Sequence, residues 1–327
     1  MKLRNFNQTT FLLATTFLLS ISGGFAYDDN HTPSIEDLNR AKRPNSFDIV
    51  RFPSGEISSN SADAYYNRGI LWEKQGNIPQ AISDFTQMIK INPQEADAYY
   101  SRGNAYAEQN NFTQAIADYN KAIEINQLNG VEAIGPFYNR GLAYADMAKL
   151  NEVKEIGPFI NQAIADFNQA IKINPEYAES YHNRGLAWDK KGNSDQAITD
   201  ISKSIELDPA DAVAYYNRGI IYDKQGRFID AINDFSKAIQ LNPDYAQAYT
   251  NRGEVYVEQD DFAQARFDFT KAIEINPRIA QSYNNRAIVY YQLKQYTKAW
   301  DDLQKAKELG YPVDPGFITT VKKGLDR

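Results

Sequence analysis

The chain has no cysteine in its 327 residues. Disulfide staples, thiolate metal sites and a cysteine nucleophile are therefore excluded, and stability has to come from packing. Histidine is nearly absent. His31 lies in an aperiodic N-terminal tract and His182 at a position where sister segments carry tyrosine, so neither reads as a general base or a metal ligand. Phosphate-binding glycine loops, HExxH helices and nucleophile elbows are missing as well. These absences predict a chain that is not an enzyme, with no catalytic residues, no cofactor and no metal. Positive charge is in deficit: 35 Lys and Arg face 42 Asp and Glu, a formal net charge of −7, which disfavours nucleic acid as a partner.

Long apolar runs are confined to Phe11–Ile21, preceded by Lys2 and Arg4 and followed by Gly24-Phe25-Ala26. That run is well short of the ~20 residues needed to span a bilayer. A positive start, a short apolar core and small residues before the cleavage point mark a secretory signal. Residues 1–26 are read as that signal, with the mature chain starting at Tyr27, no membrane insertion after cleavage, and a periplasmic or secreted destination. Residues 27–61 are rich in Asp, Asn, Ser and Pro without apolar periodicity, a composition that predicts a flexible leader. The one apolar cluster in the leader is Phe47–Phe52 (FDIVRF). Docking of that cluster on the first repeat and no docking are equally open readings.

What the chain has in abundance is repetition. Seven segments, 62–95, 96–129, 134–177, 178–211, 212–245, 246–279 and 280–309, share one pattern, and a period near 34 residues marks a repeat array. In Ala212–Tyr245, Tyr215, Gly219 and Tyr222, then Ala231, Phe235, Ala238 and Leu241 fall at helical spacing. The unit is two amphipathic helices. Gly226 stands at the turn between them and Asn242-Pro243 ends the second. Gly219 and Ala231 are small because two antiparallel helices cross there. Aromatics at position eleven (Trp72, Tyr106, Tyr144, Trp188, Tyr222, Tyr256, Tyr290) and alanines at position twenty (Ala81, Ala115, Ala163, Ala197, Ala231, Ala265, Ala299) hold the register.

This pattern of Tyr215, Gly219, Tyr222, Ala231, Phe235, Ala238 and Pro243 resembles the tetratricopeptide repeat (TPR). The resemblance implies an all-α, right-handed α-solenoid of seven helix pairs. It also implies an inner, concave surface lined by positions two, five, six, nine, twelve and thirteen of the first helices. Residues 310–327 are read as a C-terminal capping helix, with Phe317, Ile318, Val321 and Leu325 on one side, because a terminal repeat leaves an apolar face to be covered. Repeat three is irregular. Ile-Gly-Pro-Phe occurs in it twice, at 134–137 and 156–159, and each proline suits a helix first turn. Between the copies, Ala143–Glu155 lacks a breaker, so the first helix is expected to run on by two or three turns.

At position seven every repeat has arginine and at position twenty-three every repeat has aspartate. The expected structural pairs are Arg68 with Asp84, Arg102 with Asp118, Arg140 with Asp166, Arg184 with Asp200, Arg218 with Asp234, Arg252 with Asp268 and Arg286 with Asp302. A guanidinium fork in a helix seam needs such an acceptor; a ladder of arginines for an anionic ligand is the other reading, which the matched carboxylates oppose.

The expected peptide-binding groove comprises Tyr66, Tyr100, Tyr138, His182 and Tyr216 at position five, and Asn67, Asn139, Asn183, Asn217, Asn251 and Asn285 at position six. Asn104, at position nine of repeat two, is included. An asparagine row could hold the backbone of an extended peptide through amide donors and acceptors; the aromatic stripe fits either ligand contact or interhelical packing. On the same surface Asp63, Glu73, Asp97, Glu108, Asp146, Glu179, Asp189, Asp223, Glu254 and Glu258 face only Lys74, Lys190 and Lys224. That charge, with no lysine or arginine where family members clamp an acidic C-terminal carboxylate, points to an extended, neutral-to-basic protein or peptide partner. The expected function is a non-enzymatic interaction scaffold. The alternative is an adaptor that recruits an envelope enzyme, a protease or cell-wall hydrolase, through the repeat-three projection.

Overall fold

The computed structural model describes residues 61–150 and 156–326. The expected signal, the leader and the Phe47–Phe52 cluster lie outside the described residues, apart from Ser61. Among the described residues the regular structure is entirely helical: α1 (Ala62–Lys74), α2 (Ile78–Ile91), α3 (Ala96–Glu108), α4 (Phe112–Leu128), α5 (Ile134–Leu150), α6 (Gly157–Ile173), α7 (Ala178–Lys190), α8 (Ser194–Leu207), α9 (Ala212–Lys224), α10 (Phe228–Leu241), α11 (Ala246–Glu258), α12 (Phe262–Ile275), α13 (Ala280–Gln292), α14 (Tyr296–Glu308) and α15 (Pro315–Leu325). No described helix is long and apolar enough to cross a membrane.

The helices fall into two compact units, α1–α8 ending at Leu207 and α9–α15 starting from Asp208. Within the first unit α1 packs on α2, α3 on α4, α5 on α6 and α7 on α8, and each second helix also packs on the first helix that follows it. The second unit repeats the scheme with α9/α10, α11/α12 and α13/α14, and closes with α15 against α14. Seven helix pairs and a capping helix result.

Six of the seven pairs close for the same local reasons. The turn needs one residue in the left-handed region, supplied by Gly76, Gly192 and Gly226 at φ 70 to 87° and by Asn110, Asp260 and Lys294 at φ 57 to 59°; the short polar Asn and Asp tolerate this better than Lys294 does. Some helix starts are capped by side chains, as when Asp211 accepts from the backbone of Val213 and Ala214. At the crossing, a Cβ on Gly219 would stand 2.8 Å from the Phe235 ring. The ring fills the space the missing side chain leaves, and the position-twenty alanines are fully buried beside it.

The repeat-three insertion lengthens both of its helices. α5 and α6 have 17 residues each, against 13 in α7 and 14 in α8. The described part of α5 runs about one turn past its sister helices, and residues 151–155, where the rest of the expected extension falls, lie outside the described residues. The added turns are packed on one side, where Ala148 and Phe159 join a cluster with Ile160, Ile164, Ala187, Ile156 and Trp188, while Lys149, Gly157 and Pro158 are exposed. α15 is capped by Asp314, which accepts from the Gly316 and Phe317 amides. Val321 is fully buried with Ala287, Ala299 and Leu303, and Phe317 and Ile318 lie against them. Leu325 departs from the expected covered side and is largely exposed.

Candidate functional site

The first helices of neighbouring repeats adjoin one another within each unit, α1–α3–α5–α7 in one and α9–α11–α13 in the other. Two ladders run across them, and both are built from residues that the sequence pattern singles out.

The first ladder is ionic. Every position-seven arginine forms a two-pronged pair with the position-twenty-three aspartate of its own repeat, Nε to Oδ2 and Nη2 to Oδ1, at 2.6 to 2.8 Å throughout. The aspartates are buried. Burial pushes Asp166, Asp268 and Asp302 above the usual carboxylate range, against the opposing pull of their arginines; such a pair resists being broken more than it adds net stability. A third prong was not read from the sequence. Nη1 of Arg102, Arg184, Arg252 and Arg286 donates to Thr86, Asn168, Ser236 and Thr270 of the preceding repeat at 2.6 to 3.1 Å, and Arg140 donates likewise to Asn120. Thr86, Ser236 and Thr270 give their own protons to the carbonyls of Ile82, Ile232 and Arg266, one turn back, which leaves their oxygens to accept. The signal was present in the repeat pattern, since position twenty-five is Thr, Asn or Ser in each of the first six repeats. Each such arginine thus ties its own helix pair to the pair before it.

The second ladder is made of the expected groove residues. Asn139 donates both amide hydrogens, to the Tyr100 hydroxyl at 3.0 Å and to Asn104 Oδ1 at 2.8 Å. Asn183 donates to the Tyr138 hydroxyl at 3.0 Å and to the Glu179 carbonyl at 2.9 Å. In the second unit Asn251 donates to the Tyr216 hydroxyl at 3.1 Å. Ser101, which replaces asparagine in repeat two, still lies 3.4 Å from the Tyr66 hydroxyl. Asn104 also accepts from Tyr119 at 2.9 Å. The tyrosine rings in turn pack on the second helix of their own repeat, Tyr66 on Phe85, Tyr100 on Tyr119, Tyr138 on Phe167 and Tyr216 on Phe235, at 5.8 to 6.1 Å between centroids. Tyr138, His182, Asn217 and Asn285 are buried and Asn67 is exposed. Asn139 gives both amide hydrogens to the preceding repeat, Asn183 gives one there and the other to the Glu179 carbonyl of its own helix, and the rings of Tyr66, Tyr100, Tyr138 and Tyr216 take part in packing.

In the second unit the first helices α9 and α11 bring carboxylates together. Glu254 of α11 accepts from Gln281 and Asn285 of α13, each at 2.6 Å. Burial pushes it up to about 7; the two amides pull it down, while Asp223 and Glu258 add to the rise. Asp223 is raised to about 6, first by burial and then by Glu258, with Lys224 acting in the other direction. Glu258 is raised by burial and by Asp260, and Tyr311 is pushed up to about 12 by burial and by Glu254. Asn285 donates here to position nine of the preceding repeat, as Asn139 does to Asn104. Glu254 is therefore a charged substitute for a neutral rung. Among the described residues no group of three His, Asp or Glu side chains is placed to hold a metal.

Helix pairs stacked through such ladders define a helical-repeat scaffold. Family models described as tetratricopeptide repeat match residues 62–95, 96–128, 212–245, 246–279 and 269–301. A further model, described as TPR repeat, matches 160–192 and 189–226. The chain belongs to the tetratricopeptide repeat family. It is a non-catalytic scaffold that binds proteins or peptides. Comparison with curated proteins gives no match.

Among solved structures, the C-terminal part of a TPR repeat-containing protein from Cytophaga hutchinsonii is similar with a TM-score of 0.61 at 18% identity, over 80% of this chain and 99% of that one. A tetratricopeptide repeat protein from Parabacteroides merdae gives 0.58 at 19%, over 81% and 99%. The Pseudomonas aeruginosa protein pilF gives 0.55 at 16%, over 72% and 96%. At these identities the likeness is one of fold.

Proposed function

We propose that the chain holds an extended, neutral-to-basic segment of a partner protein against the inner faces of its first helices, with the carboxylates of α9 and α11 as the principal contact in the second unit. The observation that carries this reading is the group of Glu254, Asp223 and Glu258. Three acids drawn from two adjacent first helices are each raised by burial, Glu254 further by Asp223 and Glu258, Asp223 by Glu258, and Glu258 by Asp260. A lysine or arginine of a ligand would relieve that repulsion, whereas an acidic ligand would add to it. The asparagines contribute by fixing the tyrosines and the spacing of the rungs, so that the face is preorganised before a ligand arrives.

The N-terminal sequence supports export through a cleaved signal, so the partner would be met in the periplasm or outside the cell; amino-terminal sequencing of the exported chain should find Tyr27 first. A peptide array of extended sequences graded in charge tests the binding reading. Neutral-to-basic peptides should bind best, and more weakly as salt rises, because screening acts on the acids. Preference for acidic C-terminal sequences would overturn it.

A further inference from the structure

The first helix pair has one face treated unlike its counterparts. At position ten, Ala105, Ala143, Ala187, Val255 and Val289 are all at most 4% exposed, whereas Leu71 on α1 is 54% exposed. At position three, Ala98, Ser180, Ala248 and Ser282 are fully buried, and Ala64 is only half-buried. The arginine ladder breaks at the same place. Arg68 is 45% exposed where the other ladder arginines are 14 to 18%, and among the described residues its Nη1 has no position-twenty-five acceptor, because no repeat precedes it. Positions three, seven and ten of α1 thus form the face on which later first helices receive the second helix of the preceding repeat.

We propose that Phe47–Phe52 of the same chain covers this face as an N-terminal cap. The chemistry of the segment matches the vacancy. Phe47, Ile49, Val50 and Phe52 are apolar partners for Leu71 and Ala64, and Asp48 supplies the acceptor that Thr, Asn or Ser supplies to later arginines. Its position in the chain matches as well. Described structure begins at Ser61 beside the N-terminus of α1, and the linker from Phe52 to Ser61 can span up to about 30 Å when extended. Leu71 lies about 15 Å along the helix from Ser61. Pro53-Ser54-Gly55 directly after the segment is turn-forming chemistry that lets the chain reverse onto α1. The far end of the array is closed by α15, and a repeat array needs both ends covered.

The absence of cysteine gives a clean test on the full chain. Val50→Cys with Leu71→Cys should form an intramolecular disulfide under mild oxidation, at least tenfold faster than the control pair Val50→Cys with Leu128→Cys, and at a rate independent of protein concentration. Equal rates for the two pairs would overturn the proposal, and cross-linking only between chains would assign the face to a second copy instead. Replacing Phe47, Ile49, Val50 and Phe52 together by serine should raise amide exchange in α1 and α2 about tenfold while leaving α6 unchanged. Unchanged exchange in α1 and α2 would equally overturn it.

Discussion

The side-chain amide of Asn183 in α7 donates to the hydroxyl of Tyr138 in α5 across 3.0 Å. A residue type suited to holding a peptide backbone is here used to hold the preceding repeat. Tyr138 is buried, so Asn183→Ala leaves its hydroxyl without that donor and should cost about 1–3 kcal/mol of stability. Thermal unfolding should show a lowered midpoint. An unchanged midpoint with lost peptide binding would return the asparagine to the ligand.

Arg252 and Asp268 are the most enclosed of the ionic rungs, since Asp268 is fully buried. Asp268→Ala strands a guanidinium that also reaches Ser236, and should cost about 3–5 kcal/mol, while replacing both residues by apolar ones should cost much less. A double-mutant cycle by chemical denaturation reads the coupling directly; no coupling would mean the pair is not structural.

Ser180 of α7 is fully buried and its hydroxyl finds no partner among the described residues, whereas Ser282 at the same position of α13 shares a 2.7 Å hydrogen bond with Thr250. Ser180→Ala should therefore be stabilising by about 1 kcal/mol, and Ser282→Ala destabilising. Opposite signs in the two denaturation midpoints are the expected result.

Glu254 contributes to the pH dependence, and Asp223 acts in the same direction. The folded value of about 7 for Glu254 lies above the ordinary 4.5, so between those two values the folded chain holds more protons than the unfolded one, and stability falls as pH rises through that window. The second unit should be more stable at pH 5 than at pH 8. Glu254→Gln keeps an oxygen for Gln281 and Asn285 while removing the charge, so it should flatten this slope and stabilise at pH 8, as followed by thermal unfolding across pH.

The fold was legible because its determinants recur: an arginine and an aspartate separated by 16 residues in six repeats point to a pair even without coordinates, and Gly219 announces a close crossing. The asparagine row was legible as a row but not in its direction. Asn139 and Asn183 turn amides toward the tyrosine of the preceding repeat, a direction that spacing along one helix does not carry. The third arginine prong was overlooked because Thr86, Asn120 and Ser236 differ in type and share only an oxygen that accepts. The repeat-three insertion was legible in outline, since α6 starts within the second Ile-Gly-Pro-Phe copy and α5 runs past its sister helices, but the packing of Ile156 and Phe159 around Ala148 and Trp188 is not revealed by spacing alone.

The central claim, that an acidic inner face selects the ligand, is tested most directly by isothermal titration of the best-binding basic peptide against the native chain and against Glu254→Gln with Asp223→Asn at pH 8. The account predicts at least tenfold weaker binding to the double variant with no loss of thermal stability. Equal affinity for the two proteins would contradict it.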